Sequence, residues 1–107
     1  MTSPADIVID AVTPLGFRVV VVRSAWDVII DFKHPNMRGC ESEVAVTLSE
    51  PDQVRFSVSS RRTLLFYRST AKQTWVVAVA KRERDDGYLV TCYESDNIKS
   101  GDVAWPS

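Results

Sequence analysis

The one histidine of the chain, His34, stands in the run Lys33-His34-Pro35-Asn36-Met37, ahead of β-like segments that carry most of the positive charge. An imidazole titrates near neutrality and so can take or give a proton at physiological pH. Arg55, Arg61, Arg62, Arg68, Lys72, Lys81, Arg82 and Arg84 follow it, against Glu83 alone within that span. Guanidinium groups suit phosphate because a planar fork donates two hydrogen bonds at once. With the hydroxyls of Tyr67, Thr91 and Tyr93, this set suits metal-independent RNA cleavage. That reaction needs a base for the ribose 2′-hydroxyl, an acid for the leaving oxygen, and cations or donors around the phosphorus. A plainer reading stands beside it. Cations on alternating strands simply face water, half-buried tyrosines pack on their neighbours, and His34 bonds the last carbonyls of a helix.

Other chemistries find little support. The chain has no Gly-rich phosphate loop, no HExxH run and no nucleophile elbow. Cys40 and Cys92 lie in no metal-like spacing, so neither a structural zinc site nor a cofactor is expected. Cys92 reads as a small core residue inside an apolar strand, and a disulfide to Cys40 is not expected in a reducing compartment. The apolar runs Val19 to Val22 and Trp75 to Ala80 are far too short to span a bilayer. The opening Met1-Thr2-Ser3-Pro4-Ala5-Asp6 lacks the regions of a signal peptide. These features predict a cytoplasmic protein with no membrane partner. A net charge of −1 argues against a protein that coats nucleic acid, yet its uneven spread permits a local phosphate-binding face.

A length of 107 residues, 45% of them apolar, predicts a single domain over 1–107 with one modest core. Asp6 to Ala11 and Phe17 to Val22 read as a hairpin around Thr13-Pro14-Leu15-Gly16. Ser24 caps a helix in which Trp26, Ile29 and Ile30 share one face, and Pro35 ends it near His34. A second helix follows over Glu41 to Ser49, with Cys40, Val44 and Leu48 on one side and Pro51-Asp52 as its stop. The period then becomes two. Val54 to Val58, Thr63 to Arg68, Trp75 to Lys81 and Tyr88 to Tyr93 are strands, the last reached through a turn at Asp86-Gly87. Uninterrupted alternation puts Leu89, Thr91 and Tyr93 on one face of the last strand. The tail from Asp96 to Ser107 is polar until Trp105, which is expected to fold back as a lid on the core. The predicted class is α+β: an N-terminal β-hairpin, two short helices, then an antiparallel four-stranded meander packed on the helices.

The order of these segments resembles a known pattern. It runs from Lys33-His34-Pro35-Asn36-Met37 through Leu65-Phe66-Tyr67-Arg68, Trp75 to Lys81, Gly87-Tyr88-Leu89-Val90-Thr91-Cys92-Tyr93 and Asp96-Asn97-Ile98-Lys99. It is similar to the phage and bacterial branch of the barnase, EndoU, colicin and RelE-like (BECR) nuclease fold, over residues 24–105. The resemblance implies a metal-independent endoribonuclease, often a toxin, whose partners are RNA and an antitoxin or immunity protein. It implies His34 as acid or base, Arg68 and Lys81 as phosphate stabilisers and Thr91 as the last-strand hydroxyl. Tyr67, Tyr93 and Lys99 match further recurrent positions, and together with Lys33 and Arg55 they are the expected substrate-binding residues. One departure stands out: members often carry a further histidine in the first helix, and Ala25 to Phe32 contains none. The alternative is therefore an inactive relative that binds protein or nucleic acid.

Overall fold

The computed structural model of the chain describes residues 6–106. The Met1 to Ala5 stretch, inspected above for a leader, and Ser107 at the end of the tail lie outside the described residues. The elements are β1 (Ile7–Val12), β2 (Arg18–Val22), α1 (Arg23–Phe32), α2 (Glu41–Ser49), β3 (Gln53–Ser57), β4 (Ser60–Ser69), β5 (Trp75–Glu83), β6 (Asp86–Ser95) and β7 (Val103–Trp105). The class is α+β. The predicted separation into a hairpin and a four-stranded meander needs correction, because all seven strands form one mixed sheet ordered β1-β2-β6-β5-β4-β3-β7. The leading hairpin joins it through a parallel seam in which Arg18 pairs with Asp86 and Val19 with Gly87. The remaining neighbours are antiparallel.

Helix α1 leaves β2 without a break. It begins at Arg23, so Ser24 lies inside the first turn and no side chain caps the helix. Arg23 instead pairs with Glu41 at 3.2 Å, bridging the starts of the two helices. Trp26, Ile29 and Ile30 are buried on one face, as their spacing predicts. The helix ends at Phe32, ahead of the Pro35 that disfavours helical geometry at His34. A 3₁₀ turn over Pro35–Met37 follows and buries Met37. Helix α2 covers the predicted residues and adds Val44 and Leu48 to the same core. Both helices lie on one side of the sheet, where Ile9, Val19, Val21, Val54, Phe66 and Cys92 meet them. Burial pushes the Cys92 thiol up to about 12, which suits a core residue and not a reactive one.

Phe17 locks the parallel seam. Its ring is fully buried, packs edge-on against Phe66 at 6.1 Å and is covered by the Arg82 guanidinium at 5.2 Å. It also explains a misread glycine. The β5–β6 turn is Arg84-Asp85, with Arg84 at φ 61°, while Gly87 lies inside β6. A Cβ on Gly87 would stand 2.7 Å from Phe17 Cε2 and 2.9 Å from the Lys81 carbonyl oxygen. Gly87 thus provides close approach, not a turn.

Strand β6 carries a bulge that sequence alternation does not show. Val79 pairs with Thr91 but Ala80 pairs with Leu89, which leaves Val90 without a partner on β5. Leu89 and Cys92 consequently join the core under the helices, while Tyr93 joins a second cluster on the opposite face. The predicted shared face of Leu89, Thr91 and Tyr93 is therefore corrected.

That second cluster comprises Leu65, Tyr67, Val77 and Val79, with Trp75, Val90, Tyr93 and Ile98 against it. Residues 96–102 form a strap that crosses from β6 over this face to β7, beyond β3. The strap is held by Lys99 N–H donating to Tyr67 Oη at 3.1 Å and by Arg55 Nη1 donating to the Gly101 carbonyl at 2.9 Å. Trp105 is no lid: it sits in β7 opposite Val54 and packs at the margin of the main core. Among the described residues no helix is long and apolar enough to cross a membrane.

Replacing Gly87 by Ala forces a methyl between the Phe17 ring and a backbone carbonyl. Overpacking of this kind costs about 1–3 kcal/mol. Urea unfolding should show that loss. A variant as stable as the parent would contradict the close packing described at the seam.

Candidate functional site

The open face of the sheet, opposite the helices, is organised in rows of paired residues. Tyr67, Val77 and Tyr93 form one row, Leu65, Val79 and Thr91 the next, and Thr63, Lys81 and Tyr88 a third. Rows two residues apart are separated by about 6.6 Å along the strands. Aromatic side chains stand at both ends of the first row, while Lys81 and Tyr88 stand in the third. On β4, β5 and β6 the middle row has only short side chains, and on β3 it continues with Arg55, which is held by Gln53 and the Gly101 carbonyl. The result is a slot of about 430 Å³ floored by Leu65, Val79 and Thr91. Tyr93, Lys99 and Ser100 wall one side, Thr63 the other, and Ser57 at the end of β3 and Val58 of the following turn close one end.

Beside the outer edge of β6, against Tyr93 and outside the lining of the slot itself, lies His34. The backbone explains why it is there. Strand β2 pairs with only the first two residues of β6, so the rest of that edge is open to the segment after α1. Lys33 Nζ donates to the carbonyl of the bulged Val90 at 3.3 Å. His34, half-buried, places its ring 5.5 Å from that of Tyr93, tilted by 36°. Its backbone N–H, not its imidazole, bonds the helix, through the Ile29 carbonyl at 3.2 Å. Lys99 brings its ammonium to 5.5 Å from the same Tyr93 ring.

The structure thus gathers His34, Tyr93, Thr91, Lys81 and Lys99 on one face, with Lys33 at its edge. It does not gather the rest. Arg68 shares the helix side with Phe66 and donates to the Glu50 carbonyl at 2.6 Å, lining a separate cavity with Val46 and Val76. It cannot act on a phosphate in the slot. Arg55 lies on the open side but is engaged by Gln53 and Gly101 under the strap. Tyr67 is fully buried, with its hydroxyl occupied by the Lys99 N–H. Both are supports of the strap. Thr63, Ser57 and Ser100 were missed by sequence reasoning. Only Thr63 left a signal, sharing the parity of Leu65 and Tyr67.

Desolvation raises the tyrosine pKa of both Tyr67 and Tyr93 above the usual value, so both keep their protons well into alkaline solution. Among the described residues Thr91 Oγ1 has no hydrogen-bond partner although it is buried, an arrangement that costs about 1–3 kcal/mol where it stays unmet. No protein-family model, curated protein or solved structure matches this chain.

The two tyrosines fix the sign of the alkaline response. Each holds its proton more tightly folded than unfolded. Their contribution is complete below the unfolded tyrosine pKa of about 10 and is lost as pH rises through the higher folded values. Unfolding free energy measured at increasing alkaline pH should therefore decline, and less steeply in Tyr67→Phe and Tyr93→Phe. Equal slopes in parent and variants would contradict the desolvation described.

Proposed function

We propose that the open face is an RNA-cleaving site that works through the ribose 2′-hydroxyl. His34 takes the hydroxyl proton as base, and O2′ attacks the adjacent phosphorus. The P–O5′ bond breaks, the 5′ oxygen takes a proton from solvent water, His34 releases its own proton to solvent, and a 2′,3′-cyclic phosphate and a 5′-hydroxyl result. Lys99 offsets the charge that builds on the phosphate, and Tyr93, kept protonated by its burial, donates to it, while Lys81, two rows along the same face, meets a neighbouring phosphate of the chain. One observation carries the reading: the only imidazole of the chain touches Tyr93 in the face that also holds Lys99 and Thr91. A catalyst built on His34 needs that neighbourhood, whereas a helix-end residue does not. Arg68, implied by the resemblance to BECR nucleases, has no part in this mechanism.

The same observation favours a second reading. A chain with one histidine has no second imidazole to serve as the opposite proton carrier. The face would then bind single-stranded nucleic acid through its lysines and Tyr93 without cutting it.

Incubation with mixed RNA in EDTA separates the two. Cleavage with cyclic-phosphate ends supports the enzyme, and His34→Ala should lower it about a hundred- to ten-thousand-fold. Lys99→Ala should weaken it too, whereas Arg68→Ala, on the far side of the sheet, should not. Retention of RNA by a protein that never cuts it would move the conclusion to binding. Full cleavage by His34→Ala would overturn the mechanism.

A further inference from the structure

We propose that the slot between the first and third rows takes one unstacked nucleobase. Its edge lies toward Thr63 and the β3–β4 turn, and its ribose phosphate lies toward Lys99 and His34. The inference rests on the nucleic-acid reading above and adds a specificity pocket to it.

Three features of the slot point to a base. The first is shape: three directly paired residues, Leu65, Val79 and Thr91, make a shallow apolar floor between taller neighbours. A flat aromatic ring fits such a floor, and about 430 Å³ falls within the range of about 300–1,000 Å³ common to small-ligand sites. The second is the ordering of polarity. Thr63, Ser100 and Ser57, whose hydroxyl bonds Ser59, surround one part, the ammonium of Lys99 lies over the Tyr93 ring, and no carboxylate of the described residues lines the slot. A nucleotide has the same order, a neutral edge of donors and acceptors at one end and an anion at the other. A bare phosphate would leave the apolar floor unused, and a hydrocarbon chain would leave the hydroxyls unused. The third is the unpartnered Thr91 Oγ1, a polar atom in the floor that a base edge can satisfy after a change of rotamer. Stacking on Tyr93 is the less suitable mode, since its ring already meets His34 and Lys99.

Binding of the four nucleoside 3′-monophosphates, ribose 5-phosphate and inorganic phosphate can be followed by methyl NMR of Leu65, Val79 and Thr63. The nucleotides should shift these methyls, with different affinities for different bases, while the two base-free probes should leave them in place. Thr63→Val, which deletes one hydroxyl at constant volume, should weaken the preferred base about three- to tenfold and narrow the differences among bases. Thr63→Phe, which fills the slot, should abolish the base-dependent shifts. If nucleotides and inorganic phosphate bind alike, or Thr63→Phe binds nucleotides as the parent does, the pocket is refuted. The outcomes separate from those for cleavage. Nucleotides that bind in the slot of a protein that cuts no RNA refute the mechanism and leave the pocket standing. RNA cleavage whose base preference is unchanged in Thr63→Phe refutes the pocket and leaves the mechanism standing.

Discussion

The unpaired residue in β6 is the constraint on which the open face depends. Leu89 must reach the core beneath the helices, and two residues later Thr91 must face the other way. A strand of strict period two cannot do both. The bulge at Val90 resolves the conflict by inserting one residue between them. It also leaves a carbonyl turned to the outer edge, where Lys33 finds it. The residue that follows is His34. A single irregularity thus sets the face on which Tyr93 appears and anchors the segment that brings an imidazole to it.

The two sides of the sheet are covered unequally, and that inequality makes the slot. Two helices seal one side over most of its area. On the other, among the described residues, the strap of residues 96–102 crosses, sheltering Tyr67 and the first row and leaving a slot over the middle row, whose Leu65 and Val79 are 7% and 9% exposed. The strap is held chiefly through its own backbone: the Lys99 N–H donates to Tyr67 Oη, the Gly101 carbonyl accepts from Arg55, and the Asp102 carbonyl accepts from the Phe56 N–H. The exposed Arg61–Asp102 ion pair adds little by comparison. Gly101 permits the approach, since a Cβ there would collide with the Phe56 carbonyl oxygen, and its φ of 154° suits few other residues.

What the sequence shows and what it hides divide along physical lines. Periodicity identifies α2 and the long strands because burial of one face or of both acts on every residue of the segment. The burial of Trp26, Ile29 and Ile30 follows from the same rule. Local signals mislead where a distant residue claims the position. Asp86-Gly87 has the composition of a hairpin turn, but its glycine answers to Phe17, far away in the chain. Ser24 has the composition of a cap, but α1 starts directly from a strand. Arg68 and Lys81 are indistinguishable as cations in sequence, and only the paired register assigns them to opposite sides. The bulge leaves no mark because alternating apolar residues read equally well in either phase. Strand β7, three residues long, is too short for any pattern.

The parallel seam between β2 and β6 has a kinetic meaning. Strands β3 to β6 join in succession through short connections, so their pairing requires only local loop closure and can proceed early. The seam instead joins Arg18 and Val19 to residues near the other end of the chain, through only two register positions. Such a contact bears a large entropic cost before it returns any stabilisation. The leading hairpin is thus the unit suited to dock late, and its docking is what seals Ile9, Phe17, Val19 and Val21 into the main core.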